Sequence, residues 1–163
     1  MPKVAVVMGS DSDLPLMKKC INVLKEFDVQ FDVRIISAHR TPDVAADFAK
    51  GAAGKGYEVI IAAAGKAAHL AGVLAAMTTL PVIGVPVKSS TMDGMDSLLS
   101  MVQMPKGIPV ATVAIDGAEN AALLAIQILA LKYPELSEKI AAYRDKMAQD
   151  VIKKDNEIRN EVF

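Results

Sequence analysis

Val4-Ala5-Val6-Val7-Met8-Gly9-Ser10-Asp11-Ser12-Asp13 passes from an unbroken apolar run into a turn of glycine, hydroxyls and carboxylates. Apolar residues without polar alternation mark a strand buried on both faces, as a parallel sheet requires. Just downstream, Met17, Cys20, Ile21, Leu24 and Phe27 recur at helical spacing and predict an amphipathic helix that covers the sheet. The same strand–turn–helix unit then repeats. Apolar runs occupy Val33–Ile36, Val59–Ala63, Val82–Val85 and Val110–Ile115. Thr41-Pro42-Asp43 reads as an N-cap, a proline at the first helical position and an acidic first turn. The helix it opens carries Val44, Ala45, Phe48 and Ala49, and further helices are expected over Ala67–Met77, Asp93–Val102 and Ala118–Leu131. This order predicts an α/β fold: a three-layer α/β/α sandwich, flavodoxin-like, with a parallel sheet of about five strands.

The tail follows a different rule. Leu136, Ile140, Tyr143, Met147 and Val151 form one narrow apolar stripe on a charged helix that starts after Pro134. A stripe of that kind needs a partner surface. The C-terminal helix, 134–157, is therefore expected to dock on a neighbouring subunit.

At 163 residues and 52% hydrophobic content, residues 1–163 suit a single domain with a substantial core. The net charge of −1 provides no basic field for nucleic acid. No apolar run approaches the roughly 20 residues of a membrane span, and Met1-Pro2-Lys3 leads into the first strand without a signal-peptide pattern. A cytoplasmic protein is expected. The single Cys20 allows no internal disulfide and anchors no metal-ligand cluster.

Both histidines of the chain follow predicted strands. His39 sits in Ser37-Ala38-His39-Arg40-Thr41-Pro42 and His69 in Ala64-Gly65-Lys66-Ala67-Ala68-His69-Leu70. Ligands of open α/β sheets bind outside the carboxyl ends of the strands, and imidazole exchanges protons near neutrality. Arg40 adds a donor fork suited to phosphate or carboxylate. The Gly9–Asp13 turn offers backbone N–H groups and the hydroxyls of Ser10 and Ser12 to a phosphate, with Asp13 or Asp11 free for ribose hydroxyls; ordinary helix capping would use the same residue types. His69 is equally a pocket residue or a helix histidine that steadies its loop. Gln103, Met104 and Pro105 are candidates to wall a pocket.

These segments, in order and with their spacing, resemble one family. Gly9–Asp13, Ser37–Pro42, Ala67–Leu70, Leu80–Pro86 and Asp96–Pro105 match the 5-(carboxyamino)imidazole ribonucleotide mutases of purine biosynthesis, class I of the aminoimidazole ribonucleotide carboxylases. The likeness weakens only after about Ala130. It implies a cofactor-free isomerase that moves a carboxylate from the exocyclic nitrogen to carbon 4 of an aminoimidazole ribonucleotide, with no metal. His39 matches the residue that moves protons. Ser10, Ser12, Asp13, Ser37 and Arg40 match positions on phosphate and ribose, and the loop Ala64, Gly65, Lys66 to His69 and Leu70 matches one that closes over the carboxylate. A homo-octamer with shared active sites is implied as well.

Two departures stand out. The family usually has glycine where this chain has Lys66 and proline where it has Ala71. A positive φ at Lys66 would cost on the order of 1 kcal/mol; alternatively the lysine stands near the substrate carboxylate. The alternatives in function are a carboxylase branch using free carbon dioxide and a non-catalytic, flavodoxin-like nucleotide binder. A flavin carrier is disfavoured by the scarcity of aromatics, and a receiver domain by Ala62-Ala63-Ala64 where its aspartate would stand.

Overall fold

The computed structural model describes residues 1–161. Its elements run β1 (Lys3–Met8), α1 (Leu14–Glu26), β2 (Gln30–Ile35), α2 (Pro42–Gly51), β3 (Val59–Gly65) and α3 (Leu70–Ala75). They continue with β4 (Val82–Val87), α4 (Met95–Val102), β5 (Ala111–Thr112), α5 (Ala118–Ala130) and α6 (Pro134–Arg159). All strand pairs are parallel, and the sheet order is β2-β1-β3-β4-β5. The chain steps from β1 to one side to form β2, then crosses back to the other side of β1 for β3. Right-handed crossovers in opposite directions put their helices on opposite faces. That is why α1 and α2 cover different sides.

Side-chain alternation along the strands feeds two cores. Val4, Val6 and Met8 of β1 and Val59, Ile61 and Ala63 of β3 pack with α1, α5 and the start of α6. Ala5, Val7, Ile60 and Ala62 face the other way, onto Phe48 of α2, Leu70 and Leu74 of α3 and Met101 of α4. The central strands are buried on both faces, as their apolar runs require.

β2 departs from that expectation. It lies at the sheet edge, and Val33 and Ile35 are exposed, Ile35 to 57%. With β1 as its one neighbour and little helix above it, the run lacks the cover the inner strands have. β5 is also shorter than its apolar run. After Val113 donates to the Gly84 carbonyl, Asp116 turns the chain at φ 58 and donates to the Pro86 carbonyl at 2.8 Å. α3 starts at Leu70 rather than Ala67, because Lys66 at φ 55 and two tight turns hold residues 66–69 as loop. α4 starts at Met95, after Asp93 and Gly94 at positive φ.

The tail stripe divides. Leu136 and Ile140 are buried against the chain's own core, Leu136 to 2% exposure, and Tyr143 meets Phe27 with ring centroids 5.7 Å apart. Lys139 Nζ bonds Asp28 at 2.7 Å and the Phe27 carbonyl at 3.3 Å, fastening the first turns to the end of α1. Met147 and Val151 stay exposed, Val151 to 66%. The first half of the stripe thus packs at home, contrary to the expectation for the whole helix. Among the described residues no helix is long and apolar enough to cross a membrane.

Candidate active site

The sequence of crossovers reverses at β1, so its carboxyl end and that of β3 open onto a crevice that neither adjoining loop fills. Gly9 N–H donates to the Ala63 carbonyl at 3.1 Å and closes the crevice floor. A cavity of about 640 Å³ sits there, within the range of small-molecule sites. Four strand ends line it: Gly9–Asp13 after β1, Ser37–Arg40 after β2, Ala64–Ala67 from the end of β3 onward, and Val87–Ser90 from the end of β4 onward.

The first two loops are locked together. Ser10 Oγ accepts the Ser12 N–H at 3.3 Å and lies 3.0 Å from Ser12 Oγ, so the hydroxyls cluster at the mouth of the turn. Ser10 caps the short 3₁₀ turn Asp11–Asp13, the capping use foreseen for it, while both hydroxyls also line the cavity. Ser37 Oγ accepts from Arg40 N–H at 3.1 Å and from Arg40 Nε at 3.3 Å. Arg40 Nη2 reaches across to the Gly9 carbonyl at 3.2 Å. A guanidinium held at two points presents its remaining donors in a fixed direction, an arrangement suited to a phosphate beside two serines. Thr41 stands at the N-cap of α2 without capping it. Its Oγ1 donates to the Ser37 carbonyl at 2.9 Å and accepts the Ser37 N–H at 3.0 Å, bracing the loop.

Asp13 is 8% exposed. Burial pushes its carboxyl above the ordinary aspartate range, and the nearby Asp11 adds to this, against a backbone hydrogen bond from Ser10. A buried carboxylate facing a cavity gains by accepting hydrogen bonds from a ligand's hydroxyls.

His39 Nε2 lies 3.0 Å from His69 Nδ1, with the rings edge to face at 5.1 Å between centroids. One of the two facing nitrogens donates a proton to the bond and the other accepts it, so the tautomers of the two rings are coupled. His39 lines the cavity and His69 is in contact with it at the cavity's edge, held there by the tight turns Lys66–Ala68 and Ala67–His69. The sequence placed His69 against the ligand; its contact in the structure is with His39. Every other candidate, Ser10, Ser12, Asp13, Ser37, Arg40, Ala64, Gly65, Lys66 and Leu70, lines the cavity. Gln103, Met104 and Pro105 do not.

Lys88, Ser89 and Ser90 were missed by sequence reasoning. The signal was present: a basic and hydroxyl-rich stretch follows the fourth apolar run, and the strand-end rule applies to it as to the others. Lys88 N–H donates to Asp116 Oδ1 at 2.8 Å, and its ammonium pairs with Asp93 at 3.4 Å. Among the described residues no group of three His, Cys, Asp or Glu side chains converges as a metal set.

Residues 3–150 match the AIR carboxylase family. The chain belongs to it. A Pyrococcus abyssi relative, named N5-carboxyaminoimidazole ribonucleotide mutase, is 62% identical over 90% of this chain and 84% of its own. A Thermotoga maritima relative of the same name is 56% identical, covering 94% and 90% of the two chains. The crystal structure of Treponema denticola PurE superimposes with a TM-score of 0.90 at 30% identity, over 98% of this chain and 100% of that one. The flavodoxin-like fold and the family resemblance read from the sequence both hold.

Proposed function

We propose that this member of the AIR carboxylase family is an N5-carboxyaminoimidazole ribonucleotide mutase of purine biosynthesis with His39 as its acid–base residue. The observation that carries the reading is one cavity joining an arginine–serine cluster, built for a phosphate, to a paired histidine. Relatives of that name at 56–62% identity support it. Ser10, Ser12, Ser37 and Arg40 hold the phosphate, and Asp13 takes ribose hydroxyls. Ala64, Gly65 and Leu70 wall the imidazole and its carboxylate.

The chemistry asks for one proton moved twice. As the exocyclic N–C bond breaks, carbon dioxide leaves and His39 protonates the nitrogen. Ring carbon 4 then attacks the retained carbon dioxide, and the same imidazole removes the carbon-bound proton to restore the aromatic ring. The proton account closes, so a single histidine suffices. Keeping carbon dioxide in the cavity substitutes proximity for concentration, an effect of several powers of ten. His69 holds the tautomer and orientation of His39 through its Nδ1.

The protein acts as a homo-oligomer, and an octamer is what the sequence resemblance implies. Three apolar faces are bare on the single chain: Val33 and Ile35 on β2, Met92 before α4 with Met95, Leu99 and Val102 along it, and Met147, Val151, Ile152 and Ile158 on α6. Monomeric proteins seldom leave several such patches in water. A second copy of the chain is their occupant.

The deciding experiment mixes the protein with each carboxylated ribonucleotide in turn, without ATP or bicarbonate. Interconversion is expected. Product formed only from the uncarboxylated ribonucleotide and added carbon dioxide would point to the carboxylase, and no turnover in either mixture would overturn both.

A further inference from the structure

We infer that Lys66 is a specificity-determining residue: its ammonium receives the substrate's carboxylate, and the loop holds a strained backbone to put it there. Four non-glycine residues adopt left-handed backbone: Asp28, Lys66, Asp93 and Asp116, with φ between 53 and 58°. Three are aspartates, a residue type that adopts this conformation more readily than most others apart from glycine. Asp116 Oδ1 accepts the Lys88 N–H, and the carboxylates of Asp28 and Asp93 meet lysines at 2.7 and 3.4 Å. Lysine lacks that readiness. Glycine would sit there without strain. Strained residues persist where the surroundings over-determine them, and they cluster at functional sites.

The position of Lys66 supplies a second reason. It lines the cavity together with two other cations, Arg40 and Lys88. Arg40 is tied to Ser37 and Gly9, and Lys88 is paired with Asp93. Among the described residues no carboxylate pairs with the Lys66 ammonium. The chain as a whole carries a net charge of −1, yet Asp13 is the one carboxylate on this cavity's wall. The excess of positive charge is local to the site.

The inference rests on the ribonucleotide reading above and deepens it. Such a ligand carries two separated anions, a phosphate and a carboxylate. Arg40 leaves the end of β2 and Lys66 the end of β3, so the two cations arrive from different elements. Lys66 shares its short loop with His69, which touches His39, and therefore enters from the side of the reacting ring. An ammonium on a flexible stem is a point charge with three donors and no fixed fork. It can follow a carboxylate from nitrogen to ring carbon, which a bidentate guanidinium would resist.

The test measures calorimetric binding of two ligands, the carboxylated ribonucleotide and the same ribonucleotide lacking the carboxyl, to full-length wild type, Lys66→Met, Lys66→Gly and Lys66→Arg. A denaturant midpoint is taken for each protein. Met and Gly variants should bind the carboxylated ligand about tenfold more weakly and the other ligand within about twofold of wild type, the loss of one charge-assisted bond. Arg should retain most of the preference. Lys66→Gly should also raise the denaturant midpoint, whereas Lys66→Met, which keeps the strain, should not. Wild-type affinity of Lys66→Met for both ligands, or an equal loss for both, would overturn the assignment. A lowered midpoint for Lys66→Gly would overturn the strain. Failure of the wild type to bind either ligand would instead bring down the ribonucleotide reading, and this inference with it.

Discussion

At the scale of the residue, His39 and Asp13 show how position, rather than type, confers a role. A histidine at a strand end is common; a histidine on a cavity wall with its Nε2 3.0 Å from a second imidazole has its tautomer coupled to that of its partner. His39→Asn is expected to keep ligand binding by calorimetry while turnover drops by about a hundredfold or more, the span of general acid–base catalysis. Turnover near wild type would remove His39 from the reaction. Asp13 is held above its ordinary value of 3.8 chiefly by burial, so the folded state binds a proton that the unfolded state has released. Stability from this group is therefore lost as pH rises from 3.8 through the raised folded value. Asp13→Asn should unfold at higher denaturant than wild type at pH 7. That advantage should shrink as pH falls through the same window, and ribonucleotide affinity should drop throughout. A variant less stable than wild type at pH 7 would contradict the burial argument.

Among elements, β4 and α4 illustrate a contact decided by the absence of a side chain. Gly84 lies mid-strand, paired with Ala62 and Thr112. A Cβ there would overlap the Sδ and Cγ of Met101 and crowd Val110. Met101 is fully buried, so it has little freedom to retreat. Gly84→Ala should therefore lower stability by about 1–3 kcal/mol, the ordinary cost of overpacking, as read from urea denaturation. An unchanged midpoint would show that Met101 yields. The link from β3 to the α5–α6 turn depends instead on charge. Burial pushes Glu58 up, but hydrogen bonds from Lys132 Nζ and Tyr133 Oη, both 2.8 Å, outweigh it and hold the carboxyl below the ordinary range.

For the whole molecule, the tail divides into first turns that complete the fold and an outer half that stays bare. Leu136 and Ile140 fill the chain's own core, each contributing about 1.5–3 kcal/mol by burial. Met147, Val151, Ile152 and Ile158 contribute no such burial to the single chain. A chain ending at Lys146 should keep its circular dichroism and a cooperative melt, yet run at a far smaller mass by light scattering and lose activity. A chain ending at Tyr133 should lose stability outright. Full assembly by the chain ending at Lys146 would show that the outer half of α6 holds no subunits together.

Much of this protein was legible in its one-dimensional pattern. Unbroken apolar runs at Val4–Met8 and Val59–Ala63 require burial on both faces, and the helical stripes between them require a sheet to cover. Loops at strand ends were therefore where ligand-facing residues were expected, and Ser10, Ser12, Asp13, Ser37, His39, Arg40 and Lys66 from those loops line one cavity. What depends on separate parts of the chain meeting in space could not be read that way. Strand order left β2 at an edge with Ile35 bare, and Asp32 and Arg34 interrupt its run where the inner ones are unbroken. The pairing of His39 with His69 joins residues 30 positions apart, and only the turns after β3 decide which ring faces the cavity. The tail stripe looks uniform in sequence, yet α5 and α1 reach only its first turns. Periodicity tells which face must be buried; the geometry of the packed elements decides what buries it.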